Sequence, residues 1–444
     1  MSWEVVKMGS FLKARKDRFK PDDPQISELK RISKIDFSGN IFLSDKTSNT
    51  GMILVKKGDL VISGINVEKG AMSVYQGNDD IIATIHYSAY EYDKDKIDIG
   101  FLKSFLKSSE FKNALKEQVP GGIKTEIKPK HILPLKVLIP TELSEQREIV
   151  ESLNGKNQNI NSLATELTHQ LDLVKQLRQA FLREAMQGQL VPQDATDEPA
   201  RQLLARIQAE KARLVKEKKI KKSKPLPPIS EEEIPFEIPE SWVWCRLGEV
   251  AIHIFDGPFG SHLKTADYTA SGVQVIRLEN LGSMSFNFHK ETFISQEKYQ
   301  TIEQHTVYNG DVIIGSFLAD GVKCVVLPEL DYTAIAKADC FTIRSDYDFT
   351  SNKYLMYLLS SDSMFKELSS LLRGMTRQRI NTTQLKNLPI PLPPLAEQQR
   401  IVEKLDELMA TCDALEASIG GSQRHNEQLL QQVLREALEP EEVA

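Results

Sequence analysis

Three stretches of this sequence place reactive residue types near spacings that catalysis uses, and each departs from its pattern. Asp256-Gly257-Pro258-Phe259-Gly260-Ser261 comes near the Asn/Asp-Pro-Pro-Tyr/Phe motif of amino-methyltransferases. Gly257 stands where that motif needs a proline, and no glycine-rich nucleotide loop after a strand accompanies it. Pro21-Asp22 with Glu28-Leu29-Lys30 offers the carboxylate, carboxylate and lysine of a nuclease, but the spacing between the acids is short and a polar loop accounts for it. Gly122-Ile123-Lys124-Thr125 has no glycine directly before its lysine, so it is not a phosphate loop. The eight histidines show no ligand spacing. The four cysteines (Cys245, Cys324, Cys340, Cys412) form no CxxC and read as reduced thiols. No catalytic residue and no metal site is expected.

What remains is binding chemistry. Leu12 to Lys20 holds five cations (Lys13, Arg15, Lys16, Arg18, Lys20) against one acid, which suits a phosphate track and equally a solvated helix face. A glycine loop at Pro120–Thr125 carries Lys124 and Thr125, with Lys128 just beyond. The Asp256–Lys264 loop offers Phe259, Ser261, His262 and Lys264. No acid occurs between Leu368 and Ala396, a stretch that contains Arg373, Thr376, Arg377, Gln378, Arg379 and Asn381. Arg, Gln and Asn are the side chains that read base edges bidentately. The overall charge of −6 hides an uneven distribution. Residues 1–140 carry net +5, residues 236–392 net −4 and residues 393–444 net −7, so any nucleic-acid face must be local.

The elements that would position these residues are written twice. Leu143-Ser-Glu-Gln-Arg-Glu-Ile-Val-Glu-Ser-Leu153 returns 252 residues later as Leu395-Ala-Glu-Gln-Gln-Arg-Ile-Val-Glu-Lys-Leu405, with seven of eleven positions identical. The same offset carries Gly58-Asp59 onto Gly310-Asp311 and Leu182–Ala185 onto Leu434–Ala437. Each copy has a heptad seam. The first runs through Val150, Leu153, Asn157, Ile160, Leu167, Leu171, Val174 and Phe181. The second runs through Val402, Leu405, Met409, Cys412, Ile419, Leu430 and Val433. The helices are expected to pair with one another, which would bring Glu439 close to Trp3. Asn157 would fix register, and Gly420-Gly421 would bend or break the second helix.

Strand-like runs and turns fill the stretches before each helix. Helices are expected at Ile99–Leu115, Asp197–Lys219 and Lys353–Leu372, and residues 220–238 read as an extended Lys- and Pro-rich linker. The organisation is therefore 1–141 first domain, 142–190 first long helix, 191–238 helix and linker, 239–392 second domain, 393–438 second long helix and 439–444 tail. No run of 18 apolar residues exists to span a membrane. The N-terminus lacks a signal-peptide pattern, so a cytoplasmic location is expected.

This order, with the two Leu-x-Glu-Gln exits, Asp256–Ser261 and Gly374-Met-Thr-Arg-Gln-Arg379, resembles the specificity subunit of Type I restriction–modification systems. The resemblance covers essentially the whole chain. It implies an α+β fold in which two α/β target-recognition domains are separated by two long helices forming an antiparallel coiled coil, with internal pseudo-two-fold symmetry. It implies that each domain reads one half of a bipartite asymmetric site in double-stranded DNA. It further implies no cofactor on this chain. Two modification subunits would supply S-adenosylmethionine and methylate adenine, and restriction subunits would use ATP and Mg. A stand-alone DNA-modifying enzyme and a coiled-coil scaffold without DNA are the alternative classes.

Overall fold

A computed structural model describes residues 2–37, 39–45, 48–65, 71–118, 126–318, 321–346, 348–372 and 379–438. They form two compact units. One comprises residues 1–170 with 419–444, the other residues 171–418. The two units are built from the same parts.

In the first unit, Trp3–Lys7 pairs antiparallel with Lys136–Pro140. A four-stranded sheet runs Leu12–Ala14, Tyr87–Tyr92, Leu60–Ser63, Met72–Val74. A five-stranded sheet runs Arg18–Phe19, Met52–Val55, Ile81–Thr84, Arg31–Ile35, Ile41–Ser44. The second unit repeats the plan. Val243–Arg246 pairs with Pro389–Leu392. The four-stranded order is His253–Asp256, Cys340–Arg344, Val312–Gly315, Cys324–Val326, and the five-stranded order is Tyr268–Thr269, Phe293–Ile294, Val273–Ile276, Ala334–Ala336, Thr306–Val307. The central strands Leu60–Ser63 and Val312–Gly315 are buried throughout and 252 residues apart, each entered through a Gly-Asp turn. Gly58 and Gly310 have φ of 89° and 83°, a region that glycine enters without steric cost. Asp59 and Asp311 then accept from the backbone N–H of Lys56 and Tyr308 at 2.8 and 2.9 Å, closing each turn.

The long helices run Leu143–Met186 and Leu395–Leu438, 44 residues each and in step with the sequence repeat. Within each unit they pack antiparallel. In the first, Leu153 shares a core with Leu434 and Leu438, and Asn426 donates its amide to the Ile160 carbonyl at 3.0 Å. In the second, Leu182 and Ala185 meet Leu405 and Met409, and Arg178 bridges Asp413 and Glu416 at 2.6 and 2.9 Å. Leu153, Ile160, Leu167 and Val174 are buried at seven-residue intervals, as are Leu405, Cys412, Ile419 and Asn426. Val150, Leu171, Phe181, Leu430 and Val433 are half-buried, and Val402 and Met409 are buried. The side chain of Asn157 lies outside what the structure describes. Leu438 joins the cluster that Trp3 flanks, while Glu439 lies outside the described residues.

The structure corrects five expectations. Gly420-Gly421 does not break the second helix, which runs unbroken through both. Buried Ile419 and Asn426 pin the chain on either side, and that packing offsets the glycine cost of about 1 kcal/mol each. The helix expected at Ile99–Leu115 is two, Ile99–Lys107 and Ser109–Gln118, and that at Lys353–Leu372 is also two, Asn352–Leu359 and Asp362–Ser370. The cause is the same in both. The buried hydroxyls of Ser108 and Ser361 donate back to Phe105 and Leu358 and accept from the N–H of Phe111 and Met364, stopping one helix and capping the next. The third helix is shorter than expected, Ala200–Lys216, with Pro199 at its N-cap and Lys218, at φ 59°, just past its end. Finally, the linker is not a free tether. Arg246 is 3% exposed, and its guanidinium donates to the carbonyls of Pro227, Pro228 and Asn387 and to both oxygens of Glu233, all at 2.6–3.0 Å. Phe236 also packs on Trp244 at 5.1 Å between ring centroids.

Candidate nucleic-acid interface

In the second unit, two segments more than a hundred residues apart in sequence reach the same end of the four-stranded sheet. The Asp256–Lys264 loop leaves the edge strand there. A Cβ on Gly257 would lie 2.0 Å from the Ala336 carbonyl oxygen, so only glycine lets the backbone press against the Ala336–Lys337 turn, which is why the proline of the methyltransferase motif cannot stand here. Pro258 and Leu263 are buried anchors, and His305 Nδ1 meets the Asp256 carbonyl at 2.7 Å. Between these anchors Phe259, 49% exposed, projects with Ser261 and His262, and exposed Lys264 closes the loop by donating its N–H to Asp267. Across the turn, Ser316 N–H bonds to the Asp339 carbonyl, and the Ser316 carbonyl accepts from Ile380 N–H at 3.2 Å. That bond ties down exposed Arg379 and Asn381, which caps the helix Thr382–Asn387 by accepting from Gln384 N–H. Arg373, Thr376, Arg377 and Gln378 lie outside the described residues.

The first unit has the same construction. Gly64 stands where Ser316 does, 252 residues earlier, and its carbonyl accepts from Ile127 N–H at 2.7 Å as Ser316 accepts from Ile380. Lys128 then opens the short helix Pro129–Ile132 as Asn381 opens its own. The stretch holding Lys124 and Thr125, which lies outside the described residues, thus corresponds to the arginine stretch of the second unit. Likewise, the connection from the edge strand of the four-stranded sheet to the first strand of the five-stranded one is Arg15–Asp17 in one unit and the Gly257–Asp267 loop in the other. The described candidates Lys16, Lys128, Phe259, Ser261, His262, Arg379 and Asn381 thus fall in or beside matched segments of the two units.

Their side chains divide. Lys13, Lys16, Arg18 and Lys20 are exposed, on strands and turns rather than on a helix. Arg15 is committed elsewhere. Its guanidinium grips the buried carboxylate of Asp59 and also Glu91 at 2.7 Å; the hydrogen bond to Asp59 pushes its pKa up. Arg344 does the equivalent for Asp311, at 2.6 Å, and its guanidinium lies 4.5 Å from the Tyr308 ring centroid. Arg15 lies in the connection after the edge strand and Arg344 at the end of a neighbouring strand, so no sequence offset reveals the parallel. Lys128 reaches Glu126 at 3.2 Å; that carboxyl is held below its usual range, first by His86 and then by Lys128. A pair that charge counting missed is Lys34 over the exposed Phe42 ring, 4.6 Å from its centroid, on the edge hairpin of the five-stranded sheet. Among the described residues no group of three or more His, Cys, Asp or Glu could hold a metal, and no helix is long and apolar enough to cross a membrane.

Residues 239–420 match the Type I restriction modification DNA specificity domain. The chain is 34% identical over 293 residues to the specificity subunit of the Type I restriction enzyme EcoAI of Escherichia coli, covering 62% of this chain and 49% of that one. It is 23% identical over 417 residues to the MjaVIII specificity subunit of Methanocaldococcus jannaschii, covering 91% and 86%. The chain spans about half the length of the EcoAI and EcoEI subunits it matches. A solved structure described under the assembly and conformational transition of the type I R-M system shares the fold, with a TM-score of 0.55 at 18% identity over 98% of this chain and 97% of that one. The second half thus carries a Type I DNA specificity domain. Over its length the chain is similar to specificity subunits of Type I restriction–modification systems.

Proposed function

We propose that this chain is the non-catalytic DNA-reading subunit of a Type I restriction–modification complex, acting in the cytoplasm. Each unit reads one half of a bipartite asymmetric site in double-stranded DNA. The paired long helices set the separation of the half-sites and dock two methyltransferase subunits, which bring S-adenosylmethionine. Restriction subunits, with ATP and Mg, complete the assembly. The observation that carries this reading is the matched pair of segments at the end of each four-stranded sheet, built on equivalent backbone bonds but with unrelated side chains. Equivalent frames with different residues suit two different half-sites.

The test is co-expression with the methyltransferase subunits of its host, followed by sequencing of methylated adenines. The expected result is one asymmetric bipartite motif. Methyl transfer or DNA cleavage by the purified chain alone would overturn the reading in favour of a stand-alone enzyme.

A further inference from the structure

The second domain carries a surplus of acid, net −4 over residues 236–392, yet one face gathers cations from separate elements. It is built around the short helix Leu247–Val250. On one side lies the helix Ala200–Lys216, whose Lys211 Nζ donates to the carbonyls of Gly248, Glu249 and Ala251 at 2.6, 3.2 and 2.8 Å. On another lies Thr382–Asn387, where Lys386 Cβ sits 3.2 Å from where a Gly248 Cβ would be. Leu226 of the linker closes on the same glycine, its Cδ1 2.9 Å from that point. The exposed lysines Lys221, Lys222 and Lys224 immediately precede Leu226.

The linker lysines are held near this face. Lys218, at φ 59°, turns the chain back after the helix, and Arg246 fixes Pro227 and Pro228. Exposed His253 lies three residues beyond the short helix. Its pKa is lowered, first by desolvation and then by Lys386, Arg344 and Lys221, with Asp311 opposing. Of the nearby acids, Glu233 pairs with Arg246, Asp311 with Arg344, and Glu217 with Arg213 and Lys219, while Glu249 on the short helix accepts from the Arg246 N–H that it caps. Among the described residues, Lys221, Lys222, Lys224 and Lys386 have no carboxylate at ion-pair distance. Like charges drawn together with few counter-charges raise the energy of the folded chain, and a polyanion relieves that strain.

We propose that the face formed by Lys221, Lys222, Lys224, Lys386 and His253 binds the phosphate backbone of duplex DNA without regard to sequence, separately from the loops that read bases. The proposal rests on the DNA-reading function above. The occupant is DNA rather than an acidic protein segment. Protein interfaces are depleted of lysine and anchored by large apolar or aromatic side chains, and residues 216–226 and 382–387 expose none.

The experiment uses the full chain in complex with its methyltransferase subunits. Affinity is measured against salt for a duplex carrying the mapped site and for a scrambled duplex. Substituting all four lysines, Lys221→Ala, Lys222→Ala, Lys224→Ala and Lys386→Ala, should make the slope of log affinity against log salt shallower by up to about 0.9 per lysine. The loss should be equal for both duplexes, and the four Lys→Arg changes should restore the slope. An unchanged slope with site discrimination intact would overturn the proposal and leave the DNA-reading function standing. Release of the methyltransferase subunits from the alanine variant, read by the mass of the complex, would also overturn it by making the face a protein contact. A wild-type complex that does not distinguish the two duplexes would remove the DNA-reading function itself.

Discussion

Gln146 and Gln398 hold the two corners between domain and long helix by the same bonding pattern. Gln398 Oε1 accepts from Ser351 N–H at 2.9 Å, and its Nε2 donates to the Pro393 carbonyl at 3.0 Å. Gln146 Oε1 accepts from Asp98 N–H at 2.7 Å, and its Nε2 donates to the Pro140 carbonyl at 2.9 Å. Ser351 and Asp98 are the caps of the helices Asn352–Leu359 and Ile99–Lys107, so each glutamine ties the first turn of a long helix to the start of a domain helix. Both are fully buried.

Gln398→Leu keeps the volume but strands a buried N–H and a carbonyl. Such groups cost about 1–3 kcal/mol when left unpaired. The substitution should lower the melting temperature, and Gln146→Leu should do the same. A change within about 0.5 kcal/mol by denaturant unfolding would refute the role, that being the range of an ordinary surface substitution.

The Arg246–Glu233 pair makes a pH prediction. The Arg246 hydrogen bond, helped by Ser230 N–H, holds the Glu233 carboxyl at about 2 against an ordinary 4.5. The folded value lies below the unfolded one. The contribution is therefore whole above about pH 4.5 and is lost as pH falls through about 2. Glu233→Gln should flatten that acid limb of the stability curve, as followed by circular dichroism, while an unaltered limb would reject it. Glu233 is partly exposed, so the effect is screened. Arg246→Met strands three carbonyls beside a carboxylate and should cost more, about 3–5 kcal/mol.

Specificity should divide by unit. Phe259→Ala with His262→Ala should relax only the half-site read by the second unit. Arg377→Ala should cost about 1–3 kcal/mol at a single position of that half-site if it reads a guanine edge. Methylome sequencing of the variant complexes checks both, and relaxation of the other half-site would contradict the assignment.

The repeat made the two long helices legible, because Leu143–Met186 and Leu395–Leu438 keep one register and one heptad pattern, although the first stops four residues short of the expected 190. It also marked Gly58-Asp59 and Gly310-Asp311 as equivalent turns. It could not reveal that Arg15 and Arg344 serve those aspartates, since the arginines sit at non-equivalent positions, one in a connection and one at a strand end, and only packing brings them there. Two-residue strands such as Arg18–Phe19 have no periodicity to detect, and charge made that stretch look as much like a helix. The splits at Ser108 and Ser361 were invisible because the apolar period continues through them. The anchored linker depends on partners outside it, chiefly Arg246, which no local pattern announces.

Gly420 and Gly421 are removable. A Cβ at either meets only the Arg424 guanidinium, at 3.9 and 4.0 Å. Gly420→Ala with Gly421→Ala should stabilise the chain by about 1 kcal/mol per site. A lower melting temperature by calorimetry would show that the glycines serve some need of the pair.

All four cysteines lie in the unit spanning residues 171–418, every one is buried, and burial raises each thiol pKa. Alkylation needs the thiolate and access to it. The native chain should therefore resist iodoacetamide, and each label acquired marks an opening of that one unit. The other contains no cysteine and stays silent. Without any engineering, the chain carries a clock for the unfolding of one half of itself.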